Sequence, residues 1–204
     1  QTAALVRRIV DDFFADYAEV RLPNGAAAKL ALFFPRNQDL DGLRPSVEAA
    51  LAARGLTATI ALRNTSQSSQ EEIDDFNRLN DPRSPHRVIL LVNKGTEGWN
   101  CPSLFACALV RKLRSANNFV LQAATRCLRQ VPGNEVPARI YLTRENEATL
   151  DRQLQDTYNE SLADLTRAPR HRRTARLVLR KFAMPPVIVT EKVRRVERVE
   201  PGAD

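Results

Sequence analysis

The chain has 204 residues, with 31 Lys and Arg against 24 Asp and Glu, a formal net charge of +7. Hydrophobic residues make up 43% and charged residues 27%, a globular composition that excludes disorder, collagen and coiled coil as descriptions of the whole. No apolar run approaches the length of roughly 18 residues that a membrane-spanning helix requires, so no membrane partner is expected.

The first residues, Gln1-Thr2-Ala3-Ala4-Leu5-Val6-Arg7-Arg8, lack an initiator Met and the basic-then-apolar order of a signal peptide. The expectation is a piece of a longer protein, which can carry half of an active site. Cys101, Cys107 and Cys127 have no CxxC spacing, which fits a reducing, cytoplasmic setting and small buried apolar roles. His86 and His171 are far apart, so no metal site is expected. Residues 168–204 hold ten Lys and Arg and four Asp and Glu, which concentrates the basic surplus there. Within them, Arg170-His171-Arg172-Arg173 reads equally as a solvated linker or as a phosphate-facing patch.

In chain order, Leu5, Ile9, Phe13 and Tyr17, with Val6, Val10 and Phe14 alongside, give helical spacing over residues 3–20. Residues 29–34 (KLALFF) are a continuous apolar run stopped by Pro35, as expected of a buried parallel strand. Asn37 or Asp39 starts a helix that turns Leu40, Leu43, Val47, Ala50 and Leu51 inward and stops at Arg54-Gly55. Residues 57–62 (TATIAL) read as a second strand. Ser69 and Glu72 form a capping box that opens a helix through Ile73, Phe76 and Leu79. Residues 87–92 and 104–110 read as the third and fourth strands, 118–130 as a helix, 138–142 as the fifth strand, and 145–165 as a last helix. Strands alternating with helices at this spacing predict an α/β fold with a parallel sheet, whose ligands sit at the carboxyl ends of the strands. Residues 176–182 and 187–199 break the pattern and read as a small basic β extension.

There is no G-x-x-x-x-G-K-[ST] phosphate loop and no strand-end Asp-Glu pair for Mg²⁺, so the chain has no complete nucleotide site of its own. Two segments carry the remaining chemistry. In Asn93-Lys94-Gly95-Thr96-Glu97-Gly98-Trp99-Asn100-Cys101-Pro102, the closely spaced glycines let the backbone approach an anion, with Thr96 and Asn100 adding polar groups. On glycine spacing alone, a tight turn that packs Trp99 into the core is the simpler reading. In Gln122-Ala123-Ala124-Thr125-Arg126-Cys127-Leu128-Arg129, residues 122, 126 and 129 fall at i, i+4 and i+7, on one face of a helix. Two guanidiniums one turn apart suit a phosphate chain between them, although a solvated basic face has the same spacing.

Together, the order strand, GTEGWN, strand, QAATRCLRQ resembles motifs V and VI of superfamily 2 helicases and translocases. Gln122, Arg126 and Arg129 match that family's Q-x-x-G-R-x-x-R, with Thr125 in place of Gly. Thr96-Glu97-Gly98-Trp99-Asn100 resembles the T-E-G-W-D of the type III restriction enzyme Res subunit and its relatives, with Asn100 where Asp is usual. Leu32-Phe33-Phe34-Pro35-Arg36-Asn37 stands where motif IV belongs, and Arg111-Lys112-Leu113-Arg114-Ser115 resembles the basic segment between motifs V and VI.

The resemblance implies a RecA-like helicase C-terminal domain over residues 28–167, preceded by an N-terminal helix and linker (1–27) and followed by the basic extension (168–204). It implies a DNA-dependent ATPase in which ATP and Mg²⁺ are held mostly by an N-terminal RecA-like lobe of the same chain, absent here, so that neither is expected on this piece alone. Arg129 would then be the arginine finger, which stabilises charge on the transferring phosphoryl group and contributes about 10³–10⁵ in rate, with Arg126 near the γ-phosphate. Gln122, Gly98, Thr96 and Asn100 would line the nucleotide. Arg36, Asn64, Thr65, Arg111, Lys112 and Arg114 would face the DNA backbone, where contacts position without specifying sequence. A methyltransferase (Mod) subunit is a further partner that the resemblance implies. The competing reading is a non-motor α/β module that docks nucleic acid or a partner through its basic tail.

Overall fold

The computed structural model describes residues 2–94, 99–111, 118–128, 131–132 and 135–167, with backbone alone for 165–167. The basic extension expected over 168–204 lies outside the described residues. Eleven elements follow one another: α1 (Thr2–Tyr17), β1 (Lys29–Phe34), α2 (Asn37–Ala53), β2 (Ala61–Asn64), α3 (Gln70–Asn77), β3 (Val88–Val92), β4 (Leu104–Leu109), α4 (Phe119–Ala124), β5 (Arg139–Leu142), α5 (Arg144–Tyr158) and α6 (Leu162–Arg167). The five strands form one sheet in the order β2-β3-β1-β4-β5, and every pairing is parallel.

β1, β3 and β4 are buried along their whole length because the sheet is covered on both faces. Strand periodicity divides their side chains between the two layers. Leu30, Leu32 and Phe34 of β1 pack with Phe13 and Phe14 of α1 and with Leu40 and Val47 of α2. Ala31 and Phe33 pack on the other side with Val120 and Leu121 of α4 and Leu150 and Leu154 of α5. A register shift where Lys29 and Leu30 meet β4 places Phe105 and Ala106 in the same layer, so Phe105 reaches the ring of Tyr17.

Local signals explain most of the boundaries. The Ser69–Glu72 capping box is formed: Glu72 N donates to Ser69 Oγ (3.2 Å) and Ser69 N to Glu72 Oε2 (2.8 Å). Three expectations need correction. The second strand is Ala61–Asn64, not 57–62, because the β3 ladder begins only at Ala61↔Val88; the β-branched residues before it form a 3-10 turn. The helix expected over 145–165 is two helices. Asn159 takes a left-handed φ of 55° that ends α5, and Ser161 with Asp164 caps α6. The helix expected over 118–130 is α-helical only to Ala124 and tightens to 3-10 over Thr125–Leu128, where Thr125 Oγ1 donates to Leu121 O (2.7 Å).

The amino-terminal edge of the sheet holds two cations, Lys29 buried and Arg87 half-buried, that have no carboxylate within ion-pair distance among the described residues. Lys29 Nζ, wholly buried, donates to His86 O at 3.0 Å. Arg87 donates to Ala28 O, Tyr17 O and Ala18 O and lies over the Phe14 ring, so it satisfies the end of α1 and rests on its aromatic face. Burial lowers Lys29 to about 8 and Arg87 to about 10. The unfolded chain therefore holds the Lys29 proton more tightly than the folded one, and stability should rise as pH goes from about 8 to about 10. Lys29→Met should flatten that rise in urea unfolding midpoints measured across the interval, whereas an unchanged slope would show that the lysine is not desolvated.

Candidate functional site

Because all five strands run the same way, their carboxyl ends and the loops that follow share one edge. The chain leaves β1 toward β2 on one side and β4 toward β5 on the other, so the reversal of direction falls between the adjacent strands β1 and β4. That is where parallel sheets hold ligands.

Arg36 follows β1 and occupies the N-cap position of α2; Arg111 follows β4. Both are held by one carboxylate. Arg36 Nε donates to Asp39 Oδ2 at 3.0 Å, and Arg111 Nη1 forms an ion pair with Asp39 Oδ1 at 2.9 Å. The Asp39 side chain is 6% exposed, against 70% for Arg36 and 44% for Arg111. Asp39 lies in the first turn of α2, where the helix dipole also favours a negative charge. The Arg111 backbone is fixed from α5: Asn146 Nδ2, wholly buried, donates to Arg111 O (2.6 Å) and Leu109 O (3.2 Å).

The loop after β2 differs from expectation. Asn64 and Thr65 are buried rather than presented to solvent. Thr65 Oγ1 accepts from Gln67 N (3.0 Å) and Thr65 N donates to Ser68 Oγ (3.0 Å), so its polar atoms shape the turn. Ser66 and Gln67 are the exposed positions there.

On the other side of the sheet, the segments after β3 and in α4 meet. Arg126 Nη1 donates to Trp99 O at 2.9 Å. The Trp99 ring stacks on Phe76, centroids 5.1 Å apart and planes 26° from parallel, and is buried in the core, as the simpler sequence reading expected. Asn100 is exposed, and its carbonyl accepts from Asn80 Nδ2 (2.7 Å). Gln122 is half-buried one turn before Arg126. Thr125, where the resembling motif has Gly, has a φ of −81°, so no glycine is required there. The α4 N-cap, Asn118, is left-handed and offers no side-chain cap; Gln153 of α5 replaces it, its Oε1 accepting from Leu121 N at 2.9 Å. The 3-10 turn alters the spacing expected between residues 122 and 126. Arg129, Thr96, Gly98, Lys112 and Arg114 lie outside the described residues.

Sequence reasoning missed Asp39, Asn146 and Gln153 as parts of the site. Asp39 stands three residues after Arg36 in a helix start, a salt-bridge spacing. Asn146 and Gln153 interrupt the apolar stripe of α5 that Leu150 and Leu154 continue, and a polar residue on a buried stripe needs a partner. All three cysteines are buried. A cavity of about 550 Å³ between Leu104, Phe105, Leu128 and Val136 opens at the amino-terminal edge, opposite Arg36 and Arg111.

Trp99 is the sole tryptophan, so it reports on the Arg126 hydrogen bond. Arg126→Ala should red-shift its emission and raise acrylamide quenching, while Arg36→Ala leaves both unchanged; equal spectra for all three proteins would show that the bond does not hold the loop.

Neither a protein-family model nor a curated protein matches the chain. Solved structures do match. The second domain of the Mss116p DEAD-box helicase, bound to an RNA duplex, superposes with a TM-score of 0.54 at 15% identity, covering 79% of this chain and 58% of that one. The C-terminal part of the Fun30 ATPase domain gives 0.46 at 19% identity (74% and 43% covered), and the Pyrococcus furiosus Hef helicase domain 0.42 at 17% (70% and 26%). The chain spans less than two thirds of the length of each of these proteins. The five-stranded parallel sheet flanked by helices is the RecA-like α/β fold, shared with the second domain of the Mss116p helicase.

Proposed function

We propose that this lobe is the second motor domain of a DNA-dependent ATPase, of the type III restriction Res kind or a relative. The observation that carries the reading is the Arg126–Trp99 hydrogen bond. It joins the two segments whose residues resemble motifs V and VI, on the α4 side of a RecA-like sheet. A parallel sheet alone would not require those two segments to meet.

In this reading, ATP binds between this lobe and a first lobe that carries the phosphate loop and the Mg²⁺ ligands. The residues present fit a partial site: they supply cations and a glycine-bearing loop but no phosphate loop. Bound ATP supplies the phosphoryl group whose transfer powers movement along DNA. Arg129 and Arg126 approach the phosphates, the first as the finger, and Gln122, Gly98, Thr96 and Asn100 complete this wall. Arg126 is held at Trp99 O, which restricts the guanidinium before a phosphate arrives.

Arg36 and Arg111, with Lys112 and Arg114, meet the phosphate backbone of DNA at the β1–β4 reversal. The Mss116p domain, whose fold this chain shares, was solved on an RNA duplex, which supports a nucleic-acid contact for this lobe as well. Asn64 and Thr65 are buried in the turn after the edge strand β2 and are no part of that surface. A methyltransferase subunit as partner follows from the Res-like reading alone.

The isolated chain should hydrolyse ATP negligibly, and robust turnover by it would contradict a half-site. In the full-length protein, Arg129→Ala should lower kcat by about 10³ or more while ATP binding changes little. Equal losses of binding and turnover would count against a finger that acts on the transition state.

A further inference from the structure

We propose that Asp39 is a positioning residue for nucleic-acid binding: its carboxylate locks Arg36 and Arg111 together so that the two guanidiniums meet one stretch of a single DNA strand's phosphate backbone. The inference rests on the nucleic-acid contact proposed above and deepens it.

The two arginines come from loops far apart in sequence, after adjacent strands β1 and β4. Like charges brought that close repel, and long side chains on exposed loops sample many rotamers. Asp39 removes both problems. Each of its oxygens faces a different arginine: Oδ2 accepts from Arg36 Nε at 3.0 Å, and Oδ1 pairs with Arg111 Nη1 at 2.9 Å. Each arginine commits a single nitrogen to the carboxylate, so the rest of each planar fork remains for an anion. The cluster keeps a net charge of +1, because two cations share one anion. The carboxylate is buried while Arg36 is largely and Arg111 partly in solvent, the layering expected when the anion orients and the cations bind. A simple surface ion pair would need only one arginine, and Asn146 would have no reason to fix the Arg111 backbone as well.

The role has a signature that charge alone cannot mimic. Removing a negative charge from a DNA-binding surface should strengthen binding by general electrostatics. Loss of a positioning residue should weaken it. Anisotropy of a labelled single-stranded oligo-dT, titrated with the whole chain at fixed salt, separates the two. Asp39→Asn should weaken binding about fivefold, close to 1 kcal/mol, and Asp39→Glu, which keeps the carboxylate, should restore part of the loss. In an Arg36→Ala/Arg111→Ala background, Asp39→Asn should change affinity no further. Tighter or unchanged binding by Asp39→Asn would overturn the positioning role, as would a further loss in the double-alanine background. If thermal unfolding shows that Asp39→Asn does not fold, Asp39→Glu decides by itself: affinity within twofold of the unaltered chain supports the role, and tighter or more than fivefold weaker binding overturns it. Failure of the underlying reading is separate: the unaltered chain would not bind, or would bind as well without Arg36 and Arg111.

Discussion

A parallel sheet covered by helices on both faces can meet a ligand only at the ends of its strands. Here β1, β3 and β4 are buried throughout, with α1 and α2 on one side and α4 and α5 on the other. The carboxyl edge holds Arg36 and Arg111, whereas Trp99 and Arg126 meet on the α4 side of the sheet, near the start of β4. The reversal between β1 and β4 opens the crevice between the two halves of the sheet. Asp39 bridges it by pairing with an arginine of each half.

The opposite edge shows what burial does to a cation without such a carboxylate. Lys29 and Arg87 rest on backbone carbonyls, and both lose part of their affinity for a proton. They close the amino end of the sheet and the end of α1, a structural use of positive charge. The arginines at the carboxyl edge remain partly in water, where a polyanion can reach them.

The fold was readable because its elements carry strong local signals. KLALFF before Pro35, the Ser69–Glu72 box and the β-branched run at 88–92 each name one structure. The errors fell where tertiary partners decide. Residues 57–60 have strand-forming side chains but no β3 residue to pair with. Residues 125–128 follow a helical pattern, yet the Thr125 hydroxyl and the junction with the Trp99 loop draw them into a 3-10 turn. Asn64 and Thr65 look like exposed loop residues, and only the turn that ends β2 shows their polar atoms turned inward. Asp39 and Asn146 could not be assigned from the sequence, because the partner that gives each its role, Arg111, comes from another part of the chain.

The proposed motor reading rests on the contact between Trp99 and Arg126, which brings the two motif-like segments together. The measurement closest to that claim is steady-state ATP hydrolysis by the full-length protein with and without single-stranded DNA. The account predicts turnover that rises on adding DNA. Turnover indifferent to DNA, or none at all, would contradict it.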